Sequence, residues 1–154
     1  MPAPRKLAVL AIVVVALAAG VLLARSLAAP SGPDLGAFHG ARLGMTASTV
    51  RLRFVEPSLG AWQSMPATGA GDVVLAWTAA KGPGEATFEF HNGMLVAVRA
   101  LLEKGDPEAA RPPVEVSNAV ARTREDAPGG AKITILAREC PTHHAEAERI
   151  AAGK

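Results

Sequence analysis

The sequence predicts an α+β protein in which an N-terminal transmembrane helix precedes a small antiparallel sheet with one or two short packed helices and a C-terminal helix. Three stretches carry that prediction. Residues 7–24 are uncharged and almost wholly apolar. Residues 85–104, EATFEFHNGMLVAVRALLEK, alternate apolar positions on both sides of Asn92-Gly93. Residues 44–57, GMTASTVRLRFVEP, open on a helix-capping threonine and close on a proline.

The N-terminal run follows Arg5 and Lys6. As a helix it rises about 27 Å at ~1.5 Å per residue, close to the hydrocarbon thickness of a bilayer. Positive charge on its leading side keeps that end in the cytoplasm and sends the rest across. Its length favours an uncleaved anchor, since signal-peptide apolar regions run shorter. Ser26-Leu27-Ala28 offers the alternative, cleavage near Ala28 and a secreted or periplasmic product. The expected organisation is residues 1–29 as anchor or signal segment, 30–38 as a flexible Pro/Gly/Ser/Ala linker, and 39–154 as the exported domain. The expected location is a bacterial inner membrane, single-pass, with the domain in the periplasm.

The +2 net charge of the 154 residues is a property of the flanks of this run. Removing Arg5, Lys6 and Arg25 from the 16 Lys and Arg leaves 13, against 14 Asp and Glu. The remainder is thus close to neutral and lacks the dense basic face on which nucleic-acid affinity rests. Nucleic acid is not an expected partner. The one cysteine, Cys140, forms no intramolecular disulfide, and residues 20–30 lack the lipid-bearing cysteine of a bacterial lipoprotein.

In the exported part, Val50, Leu52 and Phe54 alternate with Arg51 and Arg53, a strand-like period. Thr46 as N-cap and the i, i+4 spacing of Val50 and Phe54 instead favour a short helix that ends near Pro57. Residues 72–79, DVVLAWTA, read as a strand with Val73, Leu75 and Trp77 on one face. Asn92-Gly93 accepts positive φ at both centres of a type I′ turn. A regular two-residue hairpin then pairs Phe90 with Leu95, Phe88 with Ala97 and Ala86 with Arg99. The phenylalanine face is expected to be buried, with Arg99 near its edge over an aromatic ring or paired with Glu103. Thr87, Glu89, His91, Met94, Val96 and Val98 form the mixed opposite face. Residues 104–113 read as a loop. Residues 114–126 and 131–139 flank Ala-Pro-Gly-Gly as a second hairpin. Pro141 fits the first turn of a C-terminal helix that Gly153 ends. Trp62 and Trp77 are expected in the core.

Gly44, Met45, Thr46, Val50, Phe54 and Pro57, together with the later FEFHNGMLVAV, are similar to the SmpA/OmlA domain of outer-membrane assembly lipoproteins. The resemblance covers roughly residues 38–104. It implies short helices packed on a small antiparallel sheet, as in β-lactamase-inhibitor-like domains, and a protein-binding envelope module without catalysis.

Cys140-Pro141-Thr142-His143-His144 is the cluster with chemical potential. A cysteine at a helix N-terminus gains thiolate character, with His143 in reach. Cys-x-x-His also suits two ligands of a zinc site, short of the usual set. The plainer reading, in which Cys140 packs as a small hydrophobe and His143 and His144 are solvated, is preferred. Glu89 and His91 on one strand face more often mark a wet sheet surface than an acid–base pair. No cofactor and no metal is expected. The sequence therefore points to a non-enzymatic, membrane-anchored envelope protein that binds another protein or peptide. The alternative is a thiol- or metal-dependent enzyme centred on Cys140 and His143.

Overall fold

The computed structural model describes residues 34–66 and 73–153. The apolar run at 7–24 lies outside them. Among the described residues, no helix is long and apolar enough to cross a membrane. The compact unit of interest runs Leu35–Lys154. It begins inside the expected linker: β1 (Ala37–Phe38) pairs with β2 (Ala41–Arg42), and Phe38 is fully buried.

A helix, α1 (Ala47–Arg53), follows. Thr46 caps it by accepting from the Thr49 N–H at 3.4 Å, so the capping signals prevail over the strand-like alternation. Val50 and Phe54 turn inward, while Leu52, the third member of that alternation, projects into solvent. Seven antiparallel strands come next: β3 (Gly60–Pro66), β4 (Val73–Ala79), β5 (Glu85–His91), β6 (Met94–Glu103), β7 (Val114–Val116), β8 (Val120–Ala127) and β9 (Gly130–Ala137). Their order across the sheet is β3-β4-β5-β6-β9-β8-β7. A 3-10 helix (Pro107–Ala110) interrupts the loop between β6 and β7, and α2 (His144–Ala151) closes the chain. The α+β class holds.

The sheet buries both faces unequally. One carries Leu75, Trp77, Phe88, Phe90, Leu95, Val98, Leu102, Ile133 and Ile135 beneath β1, β2 and α1. The other carries Ala97, Ala121 and Leu136 beneath Ala147 of α2. Small residues there let the helix backbone come close.

Three local expectations need correction, and one strand was not expected at all. The hairpin at Asn92-Gly93 forms as read, with φ of +51° and +76° at its centres. Its register then slips: Phe90 meets Leu95, but Glu89 meets Ala97, Phe88 meets Val98 and Ala86 meets Ala100. Val96 is the extra residue of a β-bulge. The bulge puts Leu95 and Val98, three apart, on the same aromatic face. It also moves Arg99 off that face, where a guanidinium among phenylalanines would cost far more than the distortion.

The second correction concerns residues 114–126, which form two strands rather than one arm. Ser117 Oγ accepts from the Ala119 and Val120 N–H groups and turns the chain between them. The β8–β9 turn at Pro128-Gly129 is as expected. Residues 60–66 are the strand that no local signal announced. Third, the final helix starts at His144, with Pro141 in the preceding turn. Gly153, at φ +68°, ends it.

Candidate binding surface and the predicted site residues

Cys140 is 5% exposed. It precedes the cap residue His143 by a turn, closed by the His143 N–H on the Cys140 carbonyl at 3.1 Å. The thiol therefore lies outside α2 and away from solvent, without the accessibility that thiol chemistry needs. His144 is exposed, with Nδ1 2.8 Å from the Arg138 carbonyl. His143 is buried and points elsewhere, Nε2 standing 3.3 Å from Glu89 Oε2. Among the described residues, no group of three His, Cys, Asp or Glu side chains is placed to hold a metal ion.

Glu89 is the hub of that second face. It bonds Arg99, whose other nitrogen reaches Glu146 of α2 at 2.7 Å. Arg99 thus pairs with Glu89 and Glu146, not Glu103. With Arg138 on Glu148 at 2.6 Å, these contacts pin α2 to the sheet. The Glu89 carboxylate is committed to holding α2.

On the aromatic side, Arg122 is 0% exposed. Burial pulls its guanidinium below the usual arginine range, against the pull of Glu108. It bonds Glu108 and donates to the Ala37 carbonyl at 3.1 Å. Arg111 is shifted the other way, upward, chiefly by its hydrogen bonds to Glu115. These charges tie the 3-10 helix and β1 to the sheet.

A cleft of about 380 Å³ opens among the loops, lined by His39, Ser58, Trp77, Glu103, Lys104 and Asp106 among others. His39 Nε2 lies 3.0 Å from Asp106 Oδ2, and Asp106 Oδ1 accepts from the Glu108 N–H at 2.8 Å. Both carboxylate oxygens are thus engaged in joining the β1–β2 turn to the 3-10 helix. No hydrogen bond links Ser58 to His39 among the described residues. The pair clips two loops together. Sixty-seven residues separate its members, so no local spacing could have announced it.

The remaining surface feature is the β3 edge. Among the described residues, no strand pairs beyond β3. Its sequence, Gly-Ala-Trp-Gln-Ser-Met-Pro, contains no charge. Natural edges are usually guarded by charges, shortness or cover. The opposite side of the sheet has such guards: β7 is three residues long, and β8 continues past it as Arg124, Glu125 and Asp126. In the chain that leads into β3, Leu52 of α1 is 81% exposed, Val55 67% and Leu59 85%. Trp62, half-buried in β3, packs its ring against Phe54 and Phe88 and donates Nε1–H to Glu56 at 2.9 Å. Sequence reasoning missed this edge because the strand has no apolar–polar alternation, and Pro57 before it reads only as the end of the helix.

Comparison with protein-family models, with curated proteins and with solved structures finds no match to this chain.

Proposed function

We propose that this chain is a non-enzymatic, membrane-anchored envelope protein whose α+β domain binds another protein or peptide by strand addition at β3. The observation that supports this most directly is the uncharged, seven-residue β3 edge, immediately preceded by the exposed Leu59. Strand addition draws affinity from main-chain hydrogen bonds and specificity from neighbouring apolar contacts. The apolar run at 7–24 is read as the inner-membrane anchor with the domain on the periplasmic side, or as a signal cleaved near Ala28. The SmpA/OmlA resemblance is consistent with an envelope binding module and belongs to the same proposal.

The test is in-cell photo-crosslinking of the tagged full chain, with the crosslinker at Gln63 and, as control, at Glu125. A protein captured from Gln63 but not from Glu125 supports the reading. Equal labelling from both sites, or none from either, rejects it. A Cys140→Ser background should capture the same protein, because the buried thiol takes no part.

A further inference from the structure

Reading β3 as the binding edge leaves open the chemistry of the incoming strand. Resting on that reading, we infer that the strand is β3 of a second copy of this chain, joined antiparallel across a two-fold axis at Gln63.

The backbone supplies the first argument. The Ala80 N–H donates to the Leu59 carbonyl at 2.8 Å, and Ala61, Gln63 and Met65 continue that position along the ladder to β4. Antiparallel strands turn alternate residues to opposite sides. Gly60, Trp62, Ser64 and Pro66 therefore present their main-chain groups outward. When two such edges meet with Gln63 opposite Gln63, Trp62 of one copy lies opposite Ser64 of the other. That pair exchanges both N–H···O=C bonds, and symmetry repeats it. At each end, the Gly60 N–H meets the Pro66 carbonyl of the second copy. Proline's missing N–H thus falls at the rim, where it costs one bond.

Side chains supply the second argument. The strand bears no charge, so self-pairing brings no like charges opposite one another. On the face that carries α1, Arg51 donates to Ser64 Oγ at 2.6 Å and Glu56 accepts from Trp62 Nε1 at 2.9 Å. The two-fold sets Ser64 of one copy beside Trp62 of the other. It therefore brings the Arg51 guanidinium of each copy toward the Glu56 carboxylate of its mate. On the other face the Gln63 amides meet at the axis, each offering both a donor and an acceptor. The edge is complementary to itself in hydrogen bonding and in charge, as an isologous contact requires.

The experiment uses the full-length chain in detergent, Cys140→Ser throughout, under mild oxidation. Gln63 would occupy a non-hydrogen-bonded pair with Cα atoms about 4.5 Å apart, inside the range a disulfide spans. Gln63→Cys should give a disulfide-linked dimer. Ala61→Cys alone should not, whereas Ala61→Cys mixed with Met65→Cys should give the mixed dimer. Ser64→Pro removes an outward N–H and leaves the β3–β4 ladder intact. By symmetry it deletes two interface bonds and should weaken the dimer on the order of 10- to 100-fold. Arg51→Glu and Glu56→Arg should each weaken it, and the two together should restore it. Circular dichroism of each variant confirms that the monomer is folded. A Gln63 photo-crosslink to a different protein, with no self-linked product, overturns this inference and leaves strand addition at β3 standing. No crosslink of either kind overturns both.

Discussion

Phe54 is the residue on which the aromatic core turns. As the C-cap of α1 it sits between Phe38, Trp62, Trp77 and Phe88, with ring centroids 5.1–6.1 Å away. Phe54→Ala should therefore cost about 3–5 kcal/mol, the range for a fully buried phenylalanine. Urea unfolding measures this, and a loss below about 1 kcal/mol would contradict the packing. Arg122 makes a different prediction. Glu108→Ala leaves a buried guanidinium without its nearest carboxylate and should destabilise on the order of 3 kcal/mol. Replacing Arg122 and Glu108 together by Met and Leu should recover much of that loss, because the desolvation cost disappears with the charge. Cys140 should react with a thiol reagent only along the global unfolding transition. Rapid labelling of the folded chain would instead restore the thiol to consideration.

At the scale of elements, the bulge at Val96 decides which face of β6 meets the core. Deleting Val96 removes the extra residue and leaves Phe88 opposite Val98 and Arg99 opposite Thr87. The domain should then still fold with its aromatic packing kept, which an unchanged near-ultraviolet signal from Trp62 and Trp77 would report. Helix α2 docks through small residues, and Ala147 is fully buried against the sheet. Ala147→Leu should overpack this contact by about 1–3 kcal/mol, detected as a lower unfolding midpoint and faster amide exchange in residues 144–151. At Gly130, a Cβ would fall 1.7 Å from the Leu102 carbonyl oxygen. The closely apposed backbones of β6 and β9 admit only glycine there.

At the scale of the molecule, the fold joins two unlike layers across one sheet: aromatics under α1 on one side, alanines and ion pairs under α2 on the other. The loops at the sheet ends are tied by His39–Asp106 and Arg122–Glu108, while among the described residues β3 is an unpaired edge with no charged residue of its own. The proposed anchor makes a separate prediction. An uncleaved chain stays with membranes through an alkaline carbonate wash at its full mass. A chain cleaved near Ala28 is released, and its shorter mass identifies the cut.

Local chemistry was enough for several features. Thr46, Val50 and Phe54 marked α1, Asn92-Gly93 marked the hairpin, Pro128-Gly129 marked its successor, and these elements together marked the α+β class. These signals work because caps, positive-φ turns and side-chain periodicity act within a few residues. The bulge was not read from the chain: a regular register places Arg99 on the phenylalanine face, and a position at the edge, over a ring or beside Glu103, satisfies it there. Long-range pairing left no local trace. His39 finds Asp106, Glu89 finds His143, and β3 finds β4 only once the chain has closed. The order of the seven strands, and hence the choice of β3 as an edge, follows from which faces can be buried together. No stretch of the chain encodes that choice alone, since an edge is defined by the neighbour it lacks.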